Sequence, residues 1–331
     1  MGTRYTRRSS LALVALAASI VALGTPAHAA EKITFGITSA TAFSIPHYIA
    51  EEKKFFAAAD LDVDTIIAGS AASVLQQLAA GSLNIAQAAT DQTLRAILRG
   101  APIKIIAGAA SNAPFRVVAA KGVRGWGDLK GKTISIGGLT DVTLYFFRVM
   151  ARKNGLGDQD YDLLYGGGTP SRFAQLVSGA VTAAMLTNPH DFAALEQGFV
   201  DLGSVPEYLP DWAQNNILVD TRWAPQNRGT ILAFLRVYIR STRYFYDPAN
   251  RDEVIAILAK HTRTAPQIAA ATYDLYVKHK VIARDSALFE DGLKANLDAL
   301  VAMGELARPP PLAGFIDADF LTEALRRGPA Q

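Results

Sequence analysis

From Ile33 onward, short runs of β-branched and aliphatic residues alternate with stretches in which apolar residues recur every three or four positions. The first pattern predicts buried strands, and the second predicts helices that lay one face on them. Strands are expected over residues 33–38, 63–68, 85–88 and 103–107. Between them Val74, Leu75 and Leu78 recur at helical spacing, as do Leu94, Ile97 and Leu98, and Gly81 and Gly100 stand where those helices should stop. A second series begins near Phe115, with strands over 116–120, 133–136, 161–164 and 183–186 and helices starting near Val142, Pro170 and Pro189. Thr169-Pro170 and Asn188-Pro189 read as a capping side chain followed by a proline with preset φ. One more strand-like run covers 216–219. Beyond Thr230 the pattern is helical throughout, over 231–246, 251–260, 266–277 and 288–303. The stiff Arg308-Pro309-Pro310-Pro311 then leads to a last helix near 320–327. Repeated strand-helix units of this kind predict an α/β fold of mostly parallel sheets covered by helices on both faces.

Composition narrows the setting. Arg4, Arg7 and Arg8 precede a 13-residue apolar stretch, 11–23, and Ala27-His28-Ala29 supplies a small-x-small cleavage site, so 1–29 reads as a secretory signal peptide. The stretch is shorter than the roughly 18 residues a spanning helix needs, and the mature chain is expected to be soluble in the periplasm. Thr6-Arg7-Arg8-Ser9-Ser10-Leu11 leaves twin-arginine export open, although the aromatic that usually follows the arginines is missing. The chain has no cysteine, which excludes disulfides, thiolate metal sites, cysteine nucleophiles and a lipoprotein anchor together. Its 33 basic and 30 acidic residues give +3, and three of the basic residues lie in the leader, so the mature chain is near neutral. No basic run interleaved with aromatics exists, and nucleic acid is not an expected partner. With 50% hydrophobic residues, some 300 mature positions suffice for two cores.

The stretch ITFGITSATAFSIPHYIAEEKKFFAAADLDVD resembles the opening of the periplasmic solute-binding proteins of ABC importers for sulfonates, taurine, nitrate and thiamine precursors. LQQLAAGSLNIAQA, GAPIKIIAGAASNAPFRVVAAKGV, DLKGKTISIGG and LVSGAVTAAMLTNP follow in that family's order, over roughly residues 31–220. Lys54 and Asp60 stand where the family often has glycine, and Asn84 and Thr182 where aspartate is usual; all four are expected to be structural positions. The resemblance implies a type II periplasmic-binding-protein-like fold with a ligand cleft between two lobes. Lobe 1 would comprise 30–114 plus 219–331 and lobe 2 would comprise 115–218, joined by crossings near 111–116 and 213–220. It implies a monomeric binding protein, without cofactor, that captures a small solute and hands it to a membrane permease. The solute could be an anionic sulfonate or carboxylate or a neutral heterocycle, and the downstream partner a permease or a sensor. A pyrimidine-precursor synthase shares this fold, but that branch carries a cysteine-rich motif and works in the cytoplasm, so no catalytic role is expected.

In open parallel sheets, ligands lie at the carboxyl ends of strands, where helix N-termini present unpaired N–H groups. That rule selects Ser39, Thr41, Phe43 and Ser44 after the first strand, Ser70 and Ser73 after the second, and Thr90, Asp91 and Gln92 after the third. From the other lobe it selects Thr140, Asp141 and Thr143, then Asn188 and His190. Ser70 and Asn188 would serve as helix caps with or without a ligand, Phe43 either touches ligand or covers the helix behind it, and Trp223 is expected in the core. Arg116 and Arg172 could each grip a carboxylate or sulfonate, but a solvated surface arginine is the ordinary outcome. His47, His190, His261 and His279 show no paired metal-ligand spacing, Gly166-Gly167-Gly168 lacks the lysine of a phosphate loop, and no G-x-S-x-G elbow occurs.

Overall fold

The computed structural model describes residues 1–2, 30–139 and 141–330. Apart from its first two residues, the expected leader lies outside the described residues, as does Thr140.

Among the described residues the strands are β1 (Glu31–Ile37), β2 (Leu61–Ile67), β3 (Ile85–Ala89), β4 (Ile103–Ala110), β5 (Phe115–Ala119), β6 (Thr133–Ile136), β7 (Asp162–Tyr165), β8 (Ala183–Thr187), β9 (Val200–Ser204) and β10 (Asn215–Asp220). They form two five-stranded sheets, ordered β2-β1-β3-β10-β4 and β7-β6-β8-β5-β9. In the first, β1 runs parallel to β2 and β3 while β10 is antiparallel to β3 and β4. In the second, β6 runs parallel to β7 and β8 while β5 is antiparallel to β8 and β9. Each sheet thus contains one reversed strand, and in each it is the first strand laid down after the chain crosses from the other sheet. The crossings are residues 111–114 and 205–214. β10 therefore lies whole in the first sheet, whereas the sequence boundary at 218/219 would have split it. β9 was not expected: as a half-exposed edge strand it carries only Val200 and Leu202 as an apolar alternation, too short to stand out.

The helices are α1 (Ile45–Glu52), α2 (Phe55–Ala58), α3 (Ala71–Ala80), α4 (Thr90–Leu98), α5 (Val142–Lys153), α6 (Thr169–Val177), α7 (His190–Glu196), α8 (Arg228–Tyr246), α9 (Arg251–Thr262), α10 (Pro266–Lys278), α11 (Glu290–Ala302) and α12 (Asp319–Arg327). None of them is long and apolar enough to cross a membrane. Side chains alternate across each sheet, as the two-residue strand period requires. In the first sheet Ile33, Phe35, Ile37, Ile85 and Ile217 face one core, while Ala86, Ile103, Ile105 and Leu218 face a second with Val74, Leu78, Leu293 and Leu297. α8 fits the first face because Ile231, Phe234, Leu235 and Tyr238 fall on one side of it; the Phe35 and Phe234 rings lie 5.3 Å apart. Burying a side chain of that size contributes ~1.5–3 kcal/mol. In the second sheet Val118, Ala184 and Leu186 face Leu176 and Ala194, and Val117, Ile134, Ile136 and Met185 face the large core with Phe146 and Phe147.

The C-terminal part of the chain is fastened to the first sheet by backbone. The Ile105 N–H donates to Phe315 O and the Ala283 N–H to Ala109 O, which covers the outer edge of β4. Lys54 and Asp60 both adopt the left-handed conformation at φ 56°, so these positions do ask for what glycine adopts freely. Asn84 Oδ1 accepts the Thr34 N–H at 2.9 Å and the Thr182 N–H donates to Thr133 O, both on the sheets. Two expected caps are corrected. Thr169 is the first residue of α6, with Gly168 preceding it, and α7 begins at His190 with Pro189, not Asn188, at the cap position.

Gly108 lies in β4 where a Cβ would come 2.1 Å from the backbone oxygen of Ala287. Backbone cannot rotate aside, so Gly108→Ala is expected to cost about 1–3 kcal/mol, read as a lower urea midpoint at unchanged m-value.

Candidate functional site

The carboxyl ends of β1, β2, β3, β6, β7 and β8 meet, with the amino ends of the reversed strands β5 and β10, around one cleft. Its floor on the first sheet is Thr38, Ser39, Thr41, Phe43, Ser44, Ser70, Gln87 and Gln214; its roof on the second is Phe115, Gly137, Asp141, Thr143, Gly167, Gly168, Thr169, Arg172 and Thr187. The enclosed space is about 70 Å³, enough for a compact polar group or a few waters. The N-termini of α1, α3, α5 and α6 all open on it, each bringing N–H groups that its own helix leaves unpaired.

The two halves touch here. Gln92 Nε2 donates to Asp141 Oδ2 at 3.2 Å and the Ala42 N–H to Asn188 O at 3.4 Å. A Cβ on Gly168 would meet Ser39 Cβ at 3.1 Å and Gly69 O at 3.4 Å, so the absence of a side chain lets the halves approach.

The ionised groups are few. Asp141 caps α5, its Oδ1 accepting the Thr143 N–H at 2.9 Å and the Thr143 hydroxyl at 2.5 Å. Arg172 is 3% exposed; its Nε donates to Met185 O at 2.6 Å, Nη2 to Thr169 Oγ1 at 2.9 Å, and Nη1 to Gly167 O. Three of the five N–H groups of the guanidinium are thereby accounted for, and among the described residues no carboxylate lies within 4.0 Å of it. Burial strips its hydration and pushes its pKa down to about 10, an effect that the more distant Asp141 charge opposes. It remains a cation at neutral pH.

Of the residues picked from sequence, Ser39, Thr41, Phe43, Ser44, Ser70, Asp141 and Thr143 line this cleft. Thr140 lies outside the described residues, and the others do not line it, for local reasons. Ser70 Oγ caps Ser73 N, and Ser73 Oγ accepts Gln77 Nε2 along the helix. Thr90 is buried under Asn216, whose amide donates to its hydroxyl at 2.7 Å. Asp91 pairs with Arg95 at 2.5 Å beneath the cleft; burial raises its pKa to about 7, with Arg95 opposing and Asp141 adding to the rise. Gln92 reaches Asp141 from behind. Asn188 turns its amide to Asp191, and His190 is buried against Phe173, ring centroids 5.6 Å apart. Arg116 is half-buried and paired with Asp201 and Asp191 outside the cleft, and Trp223 is half-buried against the core. Arg172 corrects the surface expectation outright. Gln87, Gln214, Thr187 and Arg172 went unselected, yet Gln87 had a signal: it is the lone polar residue in the buried strand IAQAA. Among the described residues no cluster of potential metal ligands occurs.

The family model described as NMT1/THI5 like matches residues 41–251, more than half of the chain. The chain belongs to the NMT1/THI5-like family. This NMT1/THI5-like chain also shares its fold with periplasmic binding proteins of known structure. The alkanesulfonate-binding protein SsuA from Xanthomonas axonopodis pv. citri bound to MOPS is 17% identical, with 88% of this chain and 97% of that one covered at TM-score 0.68. For the periplasmic nitrate-binding protein NrtA from Synechocystis PCC 6803 the values are 15%, 89%, 88% and 0.72. For the ligand-binding component of an ABC-type import system from Staphylococcus aureus with zinc bound they are 14%, 89%, 99% and 0.74. No curated protein matches the chain in sequence. The two-lobed α/β architecture expected from the sequence is the one these neighbours have.

His190 supplies a pH test. Burial, and then the neighbouring Arg172 charge, push its pKa from 6.5 down to about 4. Between those values the unfolded chain takes up a proton that the folded chain refuses, so stability falls as pH drops through this window. The loss is at most about 3 kcal/mol by pH 4, and His190→Leu should flatten that part of the profile in urea melts between pH 7.5 and 4.5.

Proposed function

We propose that this chain is the solute-capturing component of an ABC-type importer, exported to the periplasm as a soluble protein. It holds a small solute bearing an anionic group between its two halves and delivers it to a membrane permease. The observation that carries this reading is Arg172, a buried guanidinium on the cleft wall with two N–H groups left over and no ion-pair partner among the described residues. A buried cation costs several kcal/mol unless compensated, and a carboxylate or sulfonate is its natural complement. The helix N-termini around it favour the same charge. The family and the import proteins of like fold support the transport role.

Capture requires that the solute touch both halves, since only a ligand that prefers the shut form shifts the equilibrium toward it. Arg172 and Thr143 lie on one half, Ser39 and Ser70 on the other. Arg172→Gln is expected to weaken small sulfonates or carboxylates by about 10- to 100-fold in isothermal titration, with far-ultraviolet circular dichroism unchanged. Undiminished anion binding by a folded Arg172→Gln protein would end the reading. Gly168→Val should wedge against Ser39, leave the second sheet intact, and abolish the ligand-induced decrease in radius of gyration seen by small-angle scattering.

A further inference from the structure

Beside the cleft lies a second cavity of about 520 Å³, a volume in the range of small-molecule sites. It is walled by both crossings between the sheets, Pro114 from the first and Pro206, Glu207 and Pro210 from the second, and by Leu275 and Val281 at the end of α10. The Thr187 hydroxyl, on the cleft side, donates to Pro114 O at 3.3 Å, so one layer of residues separates the two spaces. The polar side of the cavity is acidic. Among the described residues its one permanent cation is Arg116, which pairs with Asp191 at 3.5 Å and with Asp201 just outside; Glu207 is a third carboxylate, and the His279 imidazole lies on the same wall. Glu207 takes its hydrogen bonds from neutral groups, the Ser204 N–H and hydroxyl. An independent group there lacks a donor. Asn188 is fully buried and lines the cavity; its Nδ2 donates to both Asp191 oxygens at 2.9 Å, which fixes the amide with Oδ1 as acceptor, and that oxygen has no partner among the described residues. A buried carbonyl left without a donor costs free energy that a ligand N–H would restore.

We propose that this cavity is a second ligand site, separate from the cleft, for a small primary amine with a compact apolar body, and that its occupancy favours the shut form. The ammonium group donates to Asn188 Oδ1 and meets the excess of carboxylate, while the apolar body lies on Pro114, Pro206, Leu275 and Val281. A neutral alcohol would supply one donor and leave the charge unmatched. An anion would find Arg116 already paired and face Asp191 and Glu207, a like-charge approach that disfavours it. The site is tied to the approach of the halves in two ways. Its walls include the two segments that must bend when the halves rotate. Asn188, whose side chain lines the cavity, also accepts the Ala42 N–H of the first half through its backbone oxygen at 3.4 Å. A ligand that holds Asn188 and both crossings in this arrangement stabilises the contact across the cleft, and by linkage tightens whatever else the shut form binds.

The test is isothermal titration of the full mature chain with three probes of one shape, benzylamine, benzyl alcohol and benzoate, with small-angle scattering of the same samples. Benzylamine should bind at least about tenfold tighter than either of the others, and should lower the radius of gyration with no other solute present. Leu275→Trp fills the apolar side of the cavity and should abolish benzylamine binding, with far-ultraviolet circular dichroism unchanged. Glu207→Gln keeps a capping partner for Ser204. It should weaken benzylamine by about two- to fivefold and leave benzyl alcohol unmoved, a charge-selective change that a merely structural effect would not produce. Equal or undetectable binding of the three probes, undiminished benzylamine binding by a folded Leu275→Trp chain, or Glu207→Gln shifting amine and alcohol alike overturns the amine site. Benzylamine bound at an unchanged radius of gyration overturns its coupling to the shut form.

Discussion

Each sheet is entered backwards, and the site depends on that. After each crossing the chain lays down a reversed strand, β5 in the second sheet and β10 in the first, between strands that run the other way. β1, β2, β3, β6, β7 and β8 therefore point their carboxyl ends at the same gap, and four of the helices that follow them begin there. One topological choice, made twice, gathers the amino ends of α1, α3, α5 and α6 and the short polar loops that precede them. The aromatic residues at the join make the arrangement firm without filling the gap. Phe43, on the first half, packs its ring 5.9 Å from Phe115 at the start of β5 and 6.1 Å from Tyr276 of the C-terminal helices.

Helix N-termini alone give a cleft a diffuse positive potential, which discriminates little among polar solutes. Discrimination comes from the groups that interrupt it. Asp141 turns the start of α5 from positive to negative, because its carboxylate both caps the helix and remains at the cleft surface. Arg172 sits on α6 one turn past the start, close enough to its own helix terminus that two positive influences coincide. The cleft is thus polarised from one wall element to the next. Hydroxyls of Ser39, Thr41, Ser44 and Thr169 lie between and can donate or accept.

The sequence carried most of the architecture, because periodicity reports burial and burial is what the two sheets impose. The alternation of Ile33, Phe35 and Ile37, or the spacing of Ile231, Phe234, Leu235 and Tyr238, is visible before any fold is known. β9 escaped because an edge strand with one wetted face needs few apolar residues. Even the departures from the family pattern were informative. Lys54 and Asp60 occupy left-handed turns that need φ near 56°, a condition that glycine meets freely and these residues meet at some cost. The site was legible in its loops and not in its charges. Local rules place Ser39, Ser70 and Asp141 at strand ends. Nothing local says that Arg172, on the second turn of an amphipathic helix, faces inward onto Met185 O rather than outward to solvent. Likewise Asn188 and His190 satisfy the strand-end rule, yet their neighbours Asp191 and Phe173 claim them.

On the reading proposed for the cleft, Arg172 makes the capture of a solute and the shutting of the cleft one event. Its carbonyl and hydroxyl partners, Met185, Gly167 and Thr169, all belong to the second half, so the guanidinium is oriented before any ligand arrives. Those partners are neutral and Asp141 is too distant to form an ion pair with it, so on that reading its charge is only partly compensated and weights the free energy of the shut form against itself. A solute that brings the missing charge removes that penalty only where the walls are close, since in an open cleft water would screen the pair and attenuate the gain. On that reading, the differential affinity that drives closure is set by a residue that never leaves its own half. The contact between Gly168 and Ser39 then fixes how near the second wall can come.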